Sequence, residues 1–143
     1  MKRFQKFFTA CGAGVALLFF ASTGIAQMQH KIGFMTDFPF YVGNAEMPAG
    51  TYIIRQPQTD TNLLQLQSKD GMHEAFIDVL PTTPDQAYKH TNVTFNRYDH
   101  TDFLRRISLG GQRFGYRVAE TRAEEHEAAH TKAVEHSVNA TAD

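Results

Sequence analysis

Apolar residues between Phe34 and Val118 recur at every second position, in short runs that turn-forming residues separate. A period of two places alternate side chains on opposite faces of a β-strand, whereas helical positions repeat about every 3.6 residues. Such runs lie within 38–42, 52–54, 64–66, 75–79, 93–95, 103–109 and 114–118. The pattern predicts a mainly β protein, a small antiparallel barrel or sandwich of six or seven strands.

Turn-forming residues indicate where these strands end. Asp70-Gly71 predicts a tight hairpin turn, because this pair readily takes the positive φ that such turns need. Tyr98 to Asp102 predicts a second turn, and Pro81 to Pro84 should end a strand because proline donates no N–H. The short connections favour a meander, in which consecutive strands pair.

The first 26 residues have the pattern of a secretory signal peptide. Three basic residues precede an apolar run from Cys11 to Ala21, and a small-residue cleavage site ends at Ala26. The run is shorter than the roughly 20 residues that a membrane-spanning helix needs. We therefore expect an exported protein, periplasmic or extracellular, without a membrane span. Because Cys11 is the only cysteine, the mature chain would contain no thiol.

The charge balance of the mature chain limits its partners. Cleavage after Ala26 would remove 26 of the 143 residues and three of the 14 Lys and Arg, which leaves 117 residues with a net charge of about −4. A chain of this length typically forms one domain. The acidic balance argues against binding to nucleic acid, because proteins that bind it carry basic surfaces.

After Val118 the composition changes to Ala, Glu and His, and neither Gly nor Pro follows. Thr121 and Glu124 have the spacing of a capping box, which marks the first turn of a helix. Few large apolar residues follow, so the packing face of such a helix would be weak. We therefore expect a β domain over 27–118 and a polar helical tail over 119–143, partly disordered at its end.

The segment from His126 to His130 matches the helical zinc motif of metalloproteases. In that motif two histidines four residues apart bind the metal, and the intervening glutamate, here Glu127, acts as general base. His136 falls where a longer version has its third ligand, but Ala133 replaces the glycine of that version. A helix continuing through Ala133 would separate His126 and His136 by about 15 Å. We therefore expect no enzyme activity and treat the match as chance.

A weaker form of the motif remains as an alternative function. His126 and His130 lie on one helix face and would bind zinc or another divalent metal, if water or a second chain completed the coordination shell. Truncation after Glu120 should then abolish metal uptake and leave the β domain folded.

Three sets of residues are further candidates for a site. Histidines near predicted turns have no Ser or Asp partner that the sequence can assign; they are His73, His90 and His100. Arginines of the later strands would form an anion-binding surface or pair with Asp78, Asp99 or Asp102; they are Arg97, Arg105, Arg106 and Arg113. Aromatic residues would line a ligand cavity or fill the core; they are Phe38, Phe40, Tyr52, Phe95, Phe103 and Phe114.

Two segments carry a family resemblance. The stretches Phe38 to Tyr52 ("FPFYVGNAEMPAGTY") and Phe95 to Arg106 ("FNRYDHTDFLRR"), followed by a Gly-rich turn and "TRAEEHE", resemble a family of small secreted bacterial proteins of unknown activity. The family pattern has glycine after the tyrosine, where this chain has Asp99. The resemblance implies a β fold and export, and it implies no catalytic residue or cofactor.

Together these observations predict a non-catalytic binding or structural module of the cell envelope, without a cofactor. Its partner would be an unknown protein or small ligand, and its oligomeric state stays open. Three alternatives remain: a metal-binding protein that uses His126 and His130, a small-ligand carrier that would need an internal cavity, and an enzyme whose residues the sequence does not identify.

Overall fold

The computed structural model describes residues 31–57 and 62–143, so the predicted signal peptide over 1–26 lies outside the described residues. The described chain forms ten strands and one helix. In chain order they are β1 (Ile32–Thr36), β2 (Phe40–Val42), β3 (Ala45–Met47), β4 (Gly50–Arg55), β5 (Leu63–Ser68), β6 (Glu74–Thr82), β7 (Asn92–Tyr98), β8 (Thr101–Ser108), β9 (Gly115–Val118), α1 (Arg122–His130) and β10 (Val134–Ala142).

Eight of these strands close an antiparallel barrel. Around the wall the order is β1, β4, β5, β6, β9, β8, β7 and β10, and β10 pairs with β1 to complete the circle. The other two strands, β2 and β3, form a hairpin that is not part of the closed ring of strands, although its residues Phe40, Val42 and Met47 belong to the core; Tyr41 of β2 pairs in parallel with Phe103 of β8. The predicted mainly β barrel is confirmed. Its strand count exceeds the prediction because β1, β3 and β10 were not recognised.

The alternating apolar residues form the core inside the barrel. Leu64 and Leu66 on β5 and Ile77 on β6 are almost fully buried, while their sequence neighbours point outwards. Aromatic rings pack against one another there: the Phe40 ring lies 5.2 Å from Tyr52 and 5.2 Å from Phe95. An eight-stranded barrel is only wide enough for its own side chains to fill. Phe40, Tyr52 and Phe95 of the predicted aromatic set are therefore core residues.

Both predicted turns connect neighbouring strands. Gly71 has φ +75° in the β5–β6 turn, where the Asp70 carboxylate accepts hydrogen bonds from the Ser68 hydroxyl and the Met72 N–H. Asp99 begins the β7–β8 turn with φ +54°, a left-handed conformation that glycine adopts without strain. The predicted stop at Pro81 is displaced slightly, since β6 continues through it to Thr82.

The predicted helical tail over 119–143 is wrong for its second half. The helix α1 ends at His130, where the Thr131 N–H bonds to the Glu127 carbonyl, and β10 follows. The first residues of β10 pair with β7, and the last residues of β10 pair with β1. Without β10 those two strands would expose unpaired backbone N–H and C=O groups along the gap. Satisfying these groups favours a strand over the weak helix that Ala, Glu and His would otherwise form.

No helix among residues 31–57 and 62–143 has the length and apolar content needed to cross a membrane.

Truncation after Glu120 removes β10 and should abolish cooperative unfolding, contrary to the expectation that the β domain folds without its tail. The physical reason is the loss of both ladders that close the barrel. Chemical denaturation followed by circular dichroism measures the effect.

In the full chain, Val138→Asp should lower the free energy of unfolding by on the order of 2 kcal/mol, because Val138 packs against the core. Asn139→Asp, on the opposite face, serves as the matched control and should change it by less than about 0.5 kcal/mol.

Candidate functional site

A β-bulge places two arginines on the same side of the barrel wall. The strand β8 carries one extra residue relative to β7, at the point where Phe95 pairs with Leu104. Leu104 and Ile107 both belong to the core. The two residues between them, Arg105 and Arg106, therefore both point outwards, as the extra residue of a bulge permits.

A third arginine joins them from β9. Tyr116 and Val118 point into the core, so the intervening Arg117 points outwards. It lies directly opposite Arg106 in the β8–β9 pairing. Like charges directly opposite one another destabilise a sheet, typically by about 0.2–1 kcal/mol. The folded protein bears this cost where Arg106 and Arg117 face each other on the outer wall.

Two carboxylates partly neutralise the three guanidinium groups. Arg105 Nη2 lies 2.7 Å from Glu120 Oε1, and Arg106 Nη2 lies 2.6 Å from Glu135 Oε1. The guanidinium group of Arg117 has neither an ion pair nor a hydrogen bond with any residue in the described part of the chain. Three positive charges thus face two negative ones, and the unmatched charge is that of Arg117.

A cleft of about 410 Å³ lies over these arginines. Besides them and Glu135, it is lined by Thr82, Thr83, Pro84 and Tyr88. The tyrosine has room because Gly115 lacks a side chain: a Cβ at Gly115 would lie 3.0 Å from Tyr88 Cε2 and 2.8 Å from the Ile107 carbonyl oxygen. The volume falls within the range of about 300–1,000 Å³ that small-molecule sites occupy.

Two polar atoms in the wall of this cleft are buried without a hydrogen-bond partner, namely Thr82 Oγ1 and Arg106 Nε. Four such side-chain atoms occur within residues 31–57 and 62–143, and the cleft accounts for half of them. Leaving a buried polar group unsatisfied typically costs about 1–3 kcal/mol. Both atoms have almost no solvent-accessible surface, so they add a local cost to the wall of the cleft and are not contact points for a ligand in it.

A separate network lies on the inner face of the wall, around the buried Asp102. Its carboxylate accepts hydrogen bonds from Arg97 Nε and Nη2, at 2.9–3.1 Å, and lies 2.5 Å from His136 Nε2. The His136 ring stacks on Phe95, and the Arg97 guanidinium lies over the Phe38 ring. The predicted cross-strand pairing of Arg97 with Asp102 is confirmed. The buried carboxylate of Asp102 is thus matched by a guanidinium group and an imidazole from neighbouring strands, which indicates a structural role for this network.

A second buried carboxylate, that of Glu124, attaches α1 to the outer wall. Thr121 caps the helix as predicted, because its hydroxyl accepts a hydrogen bond from the Glu124 N–H. The Glu124 side chain turns towards β7, where Oε1 accepts hydrogen bonds from Asn96 Nδ2 at 3.1 Å and the Tyr98 hydroxyl at 3.3 Å. Burial raises the pKa of Glu124 above its ordinary value, although the two hydrogen bonds and the nearby Arg105 oppose the shift.

Glu124→Gln should weaken the dependence of stability on pH. The folded chain holds the Glu124 proton more tightly than the unfolded chain, so protonation contributes stability that is present below pH 4.5 and lost as the pH rises through the raised pKa. Glutamine keeps the acceptor oxygen without the charge, and should therefore unfold with equal or higher free energy at pH 7. Denaturant titrations between pH 4 and pH 7 measure this, with the exposed Glu125→Gln as control. A wild-type pH profile retained in Glu124→Gln would contradict the expectation.

The structure separates His136 from the other two histidines of the zinc motif. His126 and His130 lie exposed on α1 with ring centroids 4.7 Å apart, and His130 Nδ1 lies 2.7 Å from the His126 carbonyl oxygen. His136 lies on β10 and contacts Asp102, because the helix ends at His130 rather than continuing through Ala133. No three His, Cys, Asp or Glu side chains in the described ranges group as a metal site.

The remaining candidates lie apart from the cleft or at its edge. Of the histidines near turns, His100 is exposed and lies 3.6 Å from Asp99, while His73 and His90 are exposed at the ends of loops. Arg113 donates a hydrogen bond to the Pro84 carbonyl, at the edge of the cleft. Phe103 belongs to the outer face, where it packs against Tyr41 and Tyr98.

Sequence reasoning found Arg105 and Arg106 but not the other six lining residues of the cleft, among them Arg117, Thr82 and Tyr88. Arg117 had a usable signal, since it alternates with the apolar Tyr116 and Val118. Thr82 and Tyr88 had none, because their place in the cleft depends on the β6–β9 pairing and on the loop that covers Gly115.

The fold and cleft define a small closed antiparallel barrel whose outer wall carries an electropositive site. The chain matches no family model, no curated protein and no solved structure. The family resemblance therefore stays a prediction, and function has to be argued from the geometry of the site.

Proposed function

We propose that the protein is an exported, non-catalytic binding module of the cell envelope, and that it holds an oxyanion in the cleft on its outer wall. The observation that carries the proposal is the guanidinium group of Arg117, which lacks an ion pair and lies opposite Arg106 in a cleft where three arginines meet two carboxylates. A guanidinium group matches the geometry of a carboxylate, phosphate or sulfate and donates paired hydrogen bonds to it. Such a ligand would also relieve the repulsion between Arg106 and Arg117.

Two further observations support binding at the outer wall. The interior is occupied by packed side chains such as Phe40, Tyr52 and Phe95, which disfavours a carrier that encloses an apolar ligand. The cleft on the outer wall is lined by three arginines and one acidic residue, Glu135, so its charge favours an anion.

Arg117→Gln should weaken oxyanion binding by roughly tenfold, because it removes a charge-assisted hydrogen bond. It should leave stability unchanged or slightly higher, since the opposed pair with Arg106 is lost. NMR titration with inorganic phosphate and with acetate, read at the arginine Nε–Hε signals, measures the affinity. Arg55→Gln is the matched control, because Arg55 lies on β4 and bonds to Gln67 away from the cleft. Equal losses in both variants, or no saturable shift in the wild type, would contradict the proposal.

A second candidate function is divalent metal binding by His126 and His130. The supporting observation is that both side chains are exposed on one face of α1 with ring centroids 4.7 Å apart. Two imidazoles from one helix make a partial site, which water or a second chain would have to complete.

Native mass spectrometry with added zinc tests this candidate. The wild type should retain one zinc ion that His126→Ala with His130→Ala loses, while His73→Ala with His90→Ala keeps it. Point substitutions are a better test than truncation after Glu120, because the truncation also removes β10 and with it the closure of the barrel. Zinc retention that is unaffected by the α1 substitutions would exclude these two histidines as the site.

A further inference from the structure

Glu135 gives the cleft a recognition group of opposite charge to its arginines. Its carboxylate lies 2.6 Å from Arg106 Nη2, and its side chain is 52% exposed. A bare anion in the cleft meets this negative charge as well as the guanidinium groups. A ligand that also carries hydroxyl groups can donate hydrogen bonds to Glu135, which turns the same carboxylate into a favourable contact.

Tyr88 adds an aromatic ring to the cleft, and two backbone hydrogen bonds fix the position of this residue. The Tyr88 N–H donates to the Gln112 carbonyl at 3.0 Å, and the Gly111 N–H donates to the Tyr88 carbonyl at 2.8 Å. The missing side chain of Gly115 lets the ring lie against the wall of the barrel. An aromatic face carries partial negative charge, which attracts the weakly positive C–H groups on one face of a sugar ring.

From this juxtaposition we infer that the ligand is an acidic sugar unit, that is, a sugar ring bearing a carboxylate, phosphate or sulfate. The inference rests on the proposed anion-binding function and extends it to the rest of the ligand. The acidic group binds Arg106 and Arg117, the ring packs on Tyr88, and a sugar hydroxyl donates to Glu135.

The test compares each sugar acid with its matched bare anion on the folded full-length barrel. NMR titration gives the dissociation constants of methyl glucuronide against acetate, and of glucose 6-phosphate against inorganic phosphate. At least one sugar acid should bind about tenfold more tightly than its matched anion, as added hydrogen bonds and a ring contact would produce. Methyl glucoside, which lacks the acidic group, should give no saturable shift.

Variants assign this preference to individual side chains. Tyr88→Leu and Glu135→Ala should each bring the affinity ratio of sugar acid to bare anion close to one, while Tyr88→Phe keeps the ratio. Glu135→Ala should at the same time strengthen binding of the bare anion, because it frees Arg106. Glu135 is largely exposed, so its variant stays informative even if Tyr88→Leu fails to fold.

The outcomes separate this inference from the function on which it rests. Equal affinities for sugar acid and bare anion, both still weakened by Arg117→Gln, would overturn the sugar inference and leave anion binding intact. A preference that survives in both Tyr88→Leu and Glu135→Ala would also overturn it. Failure of every probe to bind would overturn the anion-binding function itself.

Discussion

The barrel depends on the backbone pairing of β10 with β7 on one side and β1 on the other. This strand contributes little apolar surface to the core, since Val138 and Ala140 are its hydrophobic residues that pack against the core. Its main contribution is to satisfy backbone N–H and C=O groups along the edges of β7 and β1. Open strand edges of this kind invite aggregation in a small β protein. The same strand directs neighbouring residues to opposite sides of the wall: Glu135 reaches Arg106 outside, and His136 reaches Asp102 inside.

The cleft shows a local cost that the rest of the fold accommodates. Arg106 lies opposite Arg117, and two buried donors lack partners. Each feature disfavours the folded state, and the three lie together at the cleft. The opposition of the two arginines is expected where a site is preorganised for an anion, because the charges that will bind it must stay unmatched without it.

Two buried carboxylates show how differently this fold treats a negative charge. Asp102 accepts hydrogen bonds from a guanidinium group and lies beside an imidazole, so its charge is matched at close range. Glu124 receives only two neutral donors, from Asn96 and Tyr98, so burial dominates and raises its pKa. The first network braces the junction of β7, β8 and β10. The second holds a polar helix with little apolar surface against the barrel.

The sequence alone determined the fold class, because the period-two pattern of residues such as Leu64, Leu66, Ala75 and Ile77 depends only on which face of a strand is buried. It also determined the turn at Asp70-Gly71 and the helix start at Thr121, which are local choices of backbone and hydrogen bonding. Only the tertiary structure decided that 134–142 is a strand, since its reason lies in the unpaired edges of β1 and β7. Likewise, only pairing in space brought Thr82, Tyr88 and Arg117 to the bulge that carries Arg105 and Arg106. Contacts between residues distant in the chain are set by register and strand order, which no local pattern encodes.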